Sequence, residues 1–354
     1  MARRAVVVKI GSSTLVDAAG RPRPRVYGHV AGDVASLAEA GTPVVVVSSG
    51  AIALGLGTLG RAARSGRLRE LQAASAVGQQ LLQQRWQRAL GRHGLRSAQV
   101  LLTVADVHRR QTYVNARRTL ETLLRWGAVP VVNENDSTAT DEITFGDNDA
   151  LAAHVALLLG ARLLVLLTDT PGLYDREPGE PGARLIREVR DHHLLEGLEV
   201  GRRGSAWGSG GMRSKVLAAE MASAGGIQSV IASGRRAGTL AAAAAGEVVG
   251  TRFRANPSPL PAYKLWLRYG KPVAGRVIVD SGARHAIERR GTSLLPVGVI
   301  GVEGSFEAGD AVELYEGGDV FAIGVANQPA AEMRDLAGAR GVDEVVHRDN
   351  LVVL

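Results

Sequence analysis

The chain of 354 residues is 45% hydrophobic and 22% charged, carries a formal net charge of +7 and contains no cysteine. This length can form two unequal hydrophobic cores, and the missing cysteines exclude disulfides, thiolate metal sites and a cysteine nucleophile. Because no apolar run approaches the roughly 20 residues of a transmembrane helix, and because the N-terminal sequence MARRAVVVKIG lacks the long apolar stretch of a signal peptide, we expect a cytoplasmic protein.

Positive charge is concentrated in the first three quarters of the chain. Residues 272–354 hold 7 arginines and 13 acidic residues, a net charge of −6, whereas residues 1–271 hold 35 basic and 22 acidic residues, a net charge of +13. A basic body of this kind favours an anionic small substrate, a nucleotide or a nucleic acid as the partner.

Short apolar runs alternate with longer helical segments over the first 250 residues. Runs without polar alternation are typical of strands buried on both faces, and they are AVVVKI (5–10), PVVVVS (43–48), AQVLLT (98–103), VPVVN (129–133), RLLVLLT (162–168) and IQSVIAS (227–233). Helices are predicted at 68–90, 113–126, 149–160 and 215–225. This alternation predicts an α/β fold, an open and mostly parallel sheet sandwiched by helices, with ligands at the carboxyl ends of the strands.

The pattern changes after a proline-rich stretch that contains Pro257, Pro259 and Pro261. We predict a first domain at 1–254, a stiff connector at 255–273 and a second domain at 274–354. In the last of these, GRVIVD, DAVELYE, VFAIGVAN and EVVHRDNLVVL are separated by glycine-rich turns, which predicts a small antiparallel β domain.

Two strand ends and one helix start are suited to anions. Lys9 is followed by Gly11-Ser12-Ser13, and the second strand ends in Ser48-Ser49-Gly50. Small residues there leave backbone N–H groups close to a ligand, although glycines also serve tight strand-to-helix turns. The segment GSGGMRSK, which ends in Lys215, resembles a phosphate cradle at a helix start, but its spacing is not that of a Walker loop, so any nucleotide is bound by another fold.

Lysine itself is a signal, because only 4 of the 42 basic residues are lysines. Lys9 and Lys215 lie in the two glycine- and serine-rich segments just described, whereas Lys264 and Lys271 have no such surroundings. A compact ammonium group on a flexible stem suits a site that follows a moving phosphoryl group better than a broad guanidinium group does.

The fourth strand leads into a long polar loop with two clusters, Asn133-Glu134-Asn135-Asp136-Ser137 and Gly146-Asp147-Asn148-Asp149. Capping of the following helix explains only the second cluster. Together they indicate a site for a small zwitterion, with carboxylates for an ammonium group and amides for a carboxylate, or a Mg²⁺ site with oxygen ligands.

The segment GLGTLG at 55–60 matches the dinucleotide-binding pattern but is misplaced. The preceding strand ends near Ser48, and no acidic residue closes a second strand some 20 residues later, as ribose recognition requires. We therefore reject a nicotinamide-dependent oxidoreductase.

Six segments, in chain order, resemble the amino acid kinase family over about residues 5–252: VVVKIGSS, SSGAIALG, VPVVNENDS, FGDNDALAA, LLTDTPGLY and GSGGMRSKVLAA. NENDS with GDND is similar in particular to the members that phosphorylate glutamate. Relatives that act on aspartate or acetylglutamate usually show KFGG or KYGG where this chain has Gly11-Ser12. The region from roughly residue 274 resembles a PUA domain.

The resemblance implies ATP-dependent phosphorylation of the side-chain carboxylate of L-glutamate to γ-glutamyl phosphate, the first step of proline biosynthesis, with Mg²⁺ accompanying ATP. It implies that Lys9 and Lys215 neutralise the transferred phosphoryl group and that Asp149 orients both lysines. It does not assign any particular residue as a ligand of Mg²⁺. Glutamate would be bound by Ser49, Asp136 and Asn148. ATP would be bound by Lys9, Thr168, Asp169, Ser209, Gly210, Gly211, Met212, Arg213, Ser214 and Lys215.

The resemblance also implies feedback inhibition by proline, assembly into homodimers or homotetramers, and hand-over of the product to glutamyl phosphate reductase. Two alternatives stay open: another amino acid kinase, acting on acetylglutamate or aspartate, and an RNA-binding protein. The PUA-like region favours RNA, but aromatic residues are only 4% of the chain and form no stacking platform. We therefore expect no RNA binding as the main function.

Overall fold

The computed structural model describes residues 4–61, 67–108, 110–138, 147–190, 211–271, 273–341 and 343–354. The chain divides between Pro259 and Leu260 into two compact units. Within the described ranges, no helix is long and apolar enough to span a membrane.

The first unit contains a sheet and helices on both of its faces. Its strands are β1 (Val6–Ile10), β2 (Val44–Ser48), β3 (Arg96–Leu102), β4 (Ala128–Glu134), β5 (Leu163–Thr168), β6 (Glu188–Val189), β7 (Gln228–Ser233) and β8 (Thr251–Phe253). Its helices are α1 (Ser12–Leu15), α2 (Pro24–Glu39), α3 (Ala51–Thr58), α4 (Leu68–Gly91), α5 (Val104–His108), α6 (Arg110–Arg125), α7 (Asp147–Leu159), α8 (Met212–Ala224) and α9 (Thr239–Ala245).

The strands are ordered β3-β4-β2-β1-β5-β7-β8-β6. The six strands predicted from the sequence, β1 to β5 and β7, are mutually parallel. β8 runs antiparallel to β7, and β6 runs parallel to β8. The prediction of an open, mostly parallel sheet is confirmed, and the carboxyl ends of its parallel strands lie along one edge.

Alternation along the central strand β1 directs its side chains to opposite faces of the sheet. Val6, Val8 and Ile10 lie in a core cluster with residues of α2, α3 and α4. Lys9 has the opposite orientation, and α7 packs against β1 there, since Lys9 contacts Asp149 of that helix. The side chain of Lys9, in an otherwise apolar strand, is therefore on the face of the sheet that α7 covers.

The first four residues of the GLGTLG segment form the second half of α3 and serve helix packing. A Cβ atom on Gly55 would lie 1.8 Å from the carbonyl oxygen of Ala74, and a Cβ atom on Gly78 of α4 would lie 1.7 Å from that of Ala51. Only glycine allows the two backbones to approach so closely, which gives this segment a structural role in place of dinucleotide binding.

The second unit contains a five-stranded sheet of order β10-β9-β11-β12-β13. Its elements are α10 (Ala262–Tyr269), β9 (Val273–Val279), α11 (Ser281–Arg290), β10 (Val299–Gly304), β11 (Ala311–Glu316), β12 (Asp319–Val325), α12 (Ala330–Leu336) and β13 (Leu351–Val353). The prediction of a small β-rich second domain is confirmed, and β10 with β9, β11 with β12, and β12 with β13 are antiparallel as expected. The exception is β11, which pairs with β9 in parallel. The long connection through α11 and β10 permits this pairing, which a tight hairpin would not.

The predicted connector at 255–273 also differs from the structure. Its first residues belong to the first unit, where the backbone N–H of Asn256 donates to the carbonyl oxygen of Ser223 over 2.9 Å. From Ala262 the chain forms α10, whose Leu265 and Leu267 are buried within the second unit. Pro261 immediately before the helix is compatible with it, since proline is tolerated at a helix start.

Candidate active site

Lys9 and Asp149 form a buried ion pair at the centre of the sheet edge. The Nζ atom of Lys9 lies 2.6 Å from Oδ1 of Asp149, and their side chains are 4% and 0% exposed. Asp149 belongs to the first turn of α7, the helix that β4 and its polar loop lead into. These two residues are 140 positions apart in the sequence. The parallel pairing of β1 with β2, and of β2 with β4, brings the carboxyl ends of these strands, and the helix that follows β4, close together.

A second lysine reaches the same carboxylate from α8. The Nζ atom of Lys215 lies 3.2 Å from Oδ2 of Asp149. The hydroxyl of Ser214 donates to the same oxygen over 2.7 Å and lies 2.9 Å from the carbonyl oxygen of Gly211, the residue that precedes α8. One carboxylate therefore holds two ammonium groups from two different elements.

The electrostatics of this cluster leave one positive charge in excess. Burial lowers the pKa of Lys9 to about 8; the charge of Lys215 acts in the same direction, and Asp149 opposes it. Burial would raise the pKa of Asp149, but the two lysines and Ser214 outweigh it and hold that pKa below its usual value. Two cations and one anion out of water favour a further anionic group beside them.

Asp136 lies two residues after the end of β4, the strand on the far side of β2 from β1. It is 8% exposed and accepts a hydrogen bond from the hydroxyl of Ser75 on α4 over 2.5 Å. Burial raises the pKa of this carboxyl group, while the Ser75 hydrogen bond opposes the rise. Sequence reasoning selected Asp136 but not Ser75, because the two are 61 positions apart.

Two amide side chains near these carboxylates have buried atoms that lack hydrogen-bond partners among the described residues. Neither the oxygen nor the nitrogen of the Asn133 side chain has a hydrogen-bond partner there, and the same holds for Oδ1 of Asn148. Asn133 is 3% exposed. Buried polar groups are nearly always paired in proteins, so these atoms require partners from outside the described residues. Asn133 was part of the predicted cluster without being chosen as a site residue.

Two adjacent serines at the end of β2 have different environments, which the sequence did not distinguish. Ser48 is fully buried, accepts a hydrogen bond from Nε1 of Trp86 over 2.8 Å and donates to the carbonyl oxygen of Ser49 over 3.1 Å. Ser49 is partly exposed, and Gly50 has a left-handed backbone with φ of 111°. Ser48 is therefore structural, and Ser49 is the serine available to a ligand.

The end of β5 contributes Thr168 and Asp169. The hydroxyl of Thr168 lies 3.2 Å from Oδ1 of Asp169, and Nη2 of Arg235 lies 3.9 Å from Oδ2. Arg235 follows β7 and had no signal in the sequence, since arginine is common throughout this chain. The backbone N–H of Gly11 donates to Leu167, so the β1 and β5 ends are held together.

The structure thus brings Lys9, Asp149, Ser214 and Lys215 into direct contact. Ser49, Asp136, Thr168 and Asp169 lie at the same sheet edge, at the ends of β2, β4 and β5 or within two residues of them, and Asn148 precedes Asp149. Gly211, Met212 and Arg213 form the start of α8. Ser209 and Gly210 lie outside the described residues, as do residues 139–146 of the polar loop. The binding roles of all these residues stay predictions.

Two family models match the chain: the amino acid kinase family over residues 4–233 and the PUA domain over residues 275–347. The chain is 46% identical to a glutamate 5-kinase of Anaeromyxobacter dehalogenans, covering 99% of this chain and 96% of that protein. It is 44% identical to that of Methylobacillus flagellatus, with 99% and 98% covered. A UMP kinase structure from Bacillus anthracis, at 13% identity, aligns with a TM-score of 0.50 over 74% of this chain and 100% of that chain, a likeness in fold alone.

Proposed function

Because the chain belongs to the glutamate 5-kinases of the amino acid kinase family and carries a PUA domain, we propose that it phosphorylates the side-chain carboxylate of L-glutamate with ATP. The product is γ-glutamyl phosphate, and the reaction is the first step of proline biosynthesis. The observation that carries the proposal is the buried pair of lysines on Asp149.

The reaction needs no general base. The nucleophile is a carboxylate with a reference pKa near 4.3 and is already ionised at neutral pH. One of its oxygens forms a bond to the γ-phosphorus of ATP, the bond from that phosphorus to the bridging oxygen breaks, and ADP leaves with the electron pair. Catalysis then consists of positioning and of positive charge on the transferred group.

Lys9 and Lys215 supply that charge, and Asp149 sets their separation. Each ammonium is tethered through a different carboxylate oxygen, at 2.6 Å and 3.2 Å. An incoming γ-phosphoryl group would find two donors already oriented in a site out of water, where such donors are most effective. An arginine at either position would replace the compact ammonium group with a broad, planar guanidinium group whose charge is delocalised.

The acceptor side is built from Asp136, Asn148 and Ser49. The Asp136 carboxylate would face the substrate's ammonium group, and Oδ1 of Asn148, buried without a described partner, would accept from the same group. The Ser49 hydroxyl and the amide nitrogen of Asn133 would donate to substrate carboxylate oxygens. Burying such polar atoms is costly unless a ligand completes their hydrogen bonds.

The nucleotide side is built from Thr168, Asp169 and the start of α8, which includes the predicted residues from Gly211 to Lys215. Ser209 and Gly210 are part of the proposal through the family resemblance alone. Free backbone N–H groups and the helix dipole at such a start attract phosphate. Mg²⁺ would accompany ATP. Asp149 is occupied by both lysines, and the phosphates of ATP and water would supply oxygen ligands to the ion.

We extend the proposal to regulation and location: a homodimer or homotetramer, feedback inhibition by proline at the glutamate site, hand-over of the labile acyl phosphate to glutamyl phosphate reductase, and a cytoplasmic setting where ATP is available. Each follows from the family alone.

A coupled assay of ADP release tests the main proposal. ATP, Mg²⁺ and L-glutamate should give ADP, and hydroxylamine should trap the acyl phosphate as a hydroxamate. L-aspartate and N-acetylglutamate serve as matched acceptors, and preference for either would favour the alternative kinases. ADP release that does not depend on any acceptor would contradict the proposal.

A further inference from the structure

We propose that one face of α4 positions two substrate-binding segments, residues 48–50 at the end of β2 and residues 134–136 at the end of β4. On this face, Ser75 orients Asp136 toward the ammonium group of the substrate. This inference rests on the proposed function. None of the six segments that carry the family resemblance includes Ser75.

Three side chains of α4 hold the two substrate-binding segments. Ser75 donates to Oδ2 of Asp136 over 2.5 Å, and Nε2 of Gln79 donates to the carbonyl oxygen of Glu134 over 3.1 Å. Nε1 of Trp86 donates over 2.8 Å to Ser48, whose hydroxyl donates to the carbonyl oxygen of Ser49. Positions 75, 79 and 86 are four and seven residues apart, which places them on one face of a helix.

The close backbone contact between α3 and α4 at Gly55 and Gly78 prevents α4 from shifting. Gly78 lies between Ser75 and Gln79, and its backbone packs against Ala51 at the start of α3, immediately after Gly50. Because α3 begins where the β2 substrate segment ends, α4 is fixed against one substrate segment by backbone packing and against the other by hydrogen bonds. The two segments therefore keep a constant separation.

Ser75 is the side chain within the described residues that is hydrogen-bonded to the Asp136 carboxylate. It is 1% exposed and engages only Oδ2, so Oδ1 stays available to a ligand. Among the described residues, no charged side chain contributes to the raised pKa of Asp136: not Arg69 or Glu70 on the first turn of α4, and not Glu134 on β4. Without the hydroxyl, the buried carboxylate would lose its orientation and hold a proton more readily.

The test compares Ser75→Ala and Ser75→Thr in the full chain. Ser36→Ala is the matched control, since Ser36 is a helical serine of α2 whose hydroxyl donates within its own helix to Gly32 over 3.2 Å. Ser75→Ala should raise the KM for glutamate about tenfold, the scale of a hydrogen bond to a charged group, while kcat and the KM for ATP change by less than about twofold. Ser75→Thr should restore most of the affinity, and Ser36→Ala should match the wild type.

A pH readout separates positioning from a structural role. The acid limb of kcat/KM for glutamate should move to higher pH in Ser75→Ala, because that limb reports the free enzyme. Carbon-13 NMR of the Asp136 carboxyl, assigned with Asp136→Asn, should show the same displacement without substrate. An unchanged Asp136 titration, or equal losses toward both substrates, would overturn the inference. A wild type without glutamate-dependent ADP release would contradict the proposed function instead, and the NMR titration would still decide the role of Ser75.

Discussion

At the scale of single residues, Asp149 determines whether two buried ammonium groups are tolerated at all. An unpaired buried charge costs several kcal/mol, so removal of the carboxylate should damage the fold as well as the site. Removal of one lysine leaves the other still paired with Asp149, because each lysine contacts its own carboxylate oxygen. The lysines are therefore the cleaner positions for testing chemistry.

Lys9→Ala and Lys215→Ala should each lower kcat by roughly 10² to 10³, the scale of losing one preorganised donor in a buried site. Lys9→Arg and Lys215→Arg should restore little, because the guanidinium group cannot occupy the same space against Asp149. Steady-state kinetics of the four variants, with Lys271→Ala as a matched lysine control, provides the measurement. Near-normal turnover in Lys215→Arg would contradict the argument from compactness.

Lys9 should also impose opposite pH dependences on activity and stability. Its folded pKa of about 8 lies below the ordinary value of 10.5. As pH rises through about 8, the enzyme that ATP meets loses the Lys9 ammonium charge, so kcat/KM for ATP should fall. Between the two pKa values the unfolded chain binds more protons than the folded chain, so this residue's contribution to stability should rise with pH.

The matched comparison is Lys9→Met, which lacks both effects. The difference in urea midpoint between wild type and Lys9→Met should grow in favour of the wild type from pH 8 to above the ordinary pKa of 10.5. A kcat/KM profile for ATP that stays flat over this range would show that the Lys9 charge is not used in the reaction.

The sequence was sufficient for residues whose position on a strand end carries the signal. Small-residue segments after apolar runs singled out Lys9 and Lys215, and polar clusters located the segments that contain Asp136 and Asp149. The family resemblance was needed to choose those two aspartates within their clusters. Ser75 and Trp86 could not, because they lie in the middle of a long helix and act over separations of 61 and 38 residues. Their roles depend on helix packing, which leaves no local pattern around them.

At the scale of elements, long-range contacts decide what local patterns leave open. The carboxylate of Asp33 on α2 accepts hydrogen bonds from the backbone N–H groups of Gly238 and Leu240, over 3.0 and 2.9 Å, and so caps α9 from another helix. The six parallel strands were predictable because their apolar runs are continuous. The parallel β9–β11 pair was not, since strand direction depends on the crossover between them.

The α3–α4 crossing provides a test at this scale. Gly78→Ala should lower the free energy of unfolding by more than about 3 kcal/mol, because the new Cβ would meet backbone, which cannot move aside as a side chain can. Gly28→Ala on α2 is the control: nothing lies within 4 Å of its added Cβ, and alanine should stabilise that helix by about 0.5–1 kcal/mol. Urea denaturation gives both values.

If Gly78→Ala matched Gly28→Ala, the two helices would not be in backbone contact and the fixed position of α4 would have to be abandoned. A Gly78→Ala protein that still folds in part should also show a larger increase in the KM for glutamate than in the KM for ATP. The reason is that α4 contacts the substrate-binding segments.

At the scale of the whole molecule, charge and family resemblance disagree about the second unit. A PUA domain suggests RNA, yet residues 272–354 carry −6, and the preceding Lys264, Arg268 and Lys271 reduce this only to −3 for residues 260–354. Several arginines of this unit are paired with acids: Arg276 with Glu313 over 2.8 Å and Arg284 with Glu316 over 3.0 Å. Cations already matched in this way are not free for phosphates.

We expect a fragment of residues 260–354 to bind tRNA no more tightly than about millimolar at moderate salt, since affinity for RNA depends mainly on cationic contacts to phosphates. The fragment begins at Leu260 because α10 buries Leu267 against Ala311 and Val352, and a start at residue 274 would expose that cluster. Deletion of 260–354 should leave glutamate-dependent ADP release largely intact, because every described site residue belongs to the first unit. Filter binding at two salt concentrations and the coupled assay are the measurements. Salt-sensitive micromolar binding by the fragment would contradict the charge argument, and loss of all turnover on deletion would show that the first unit needs the second.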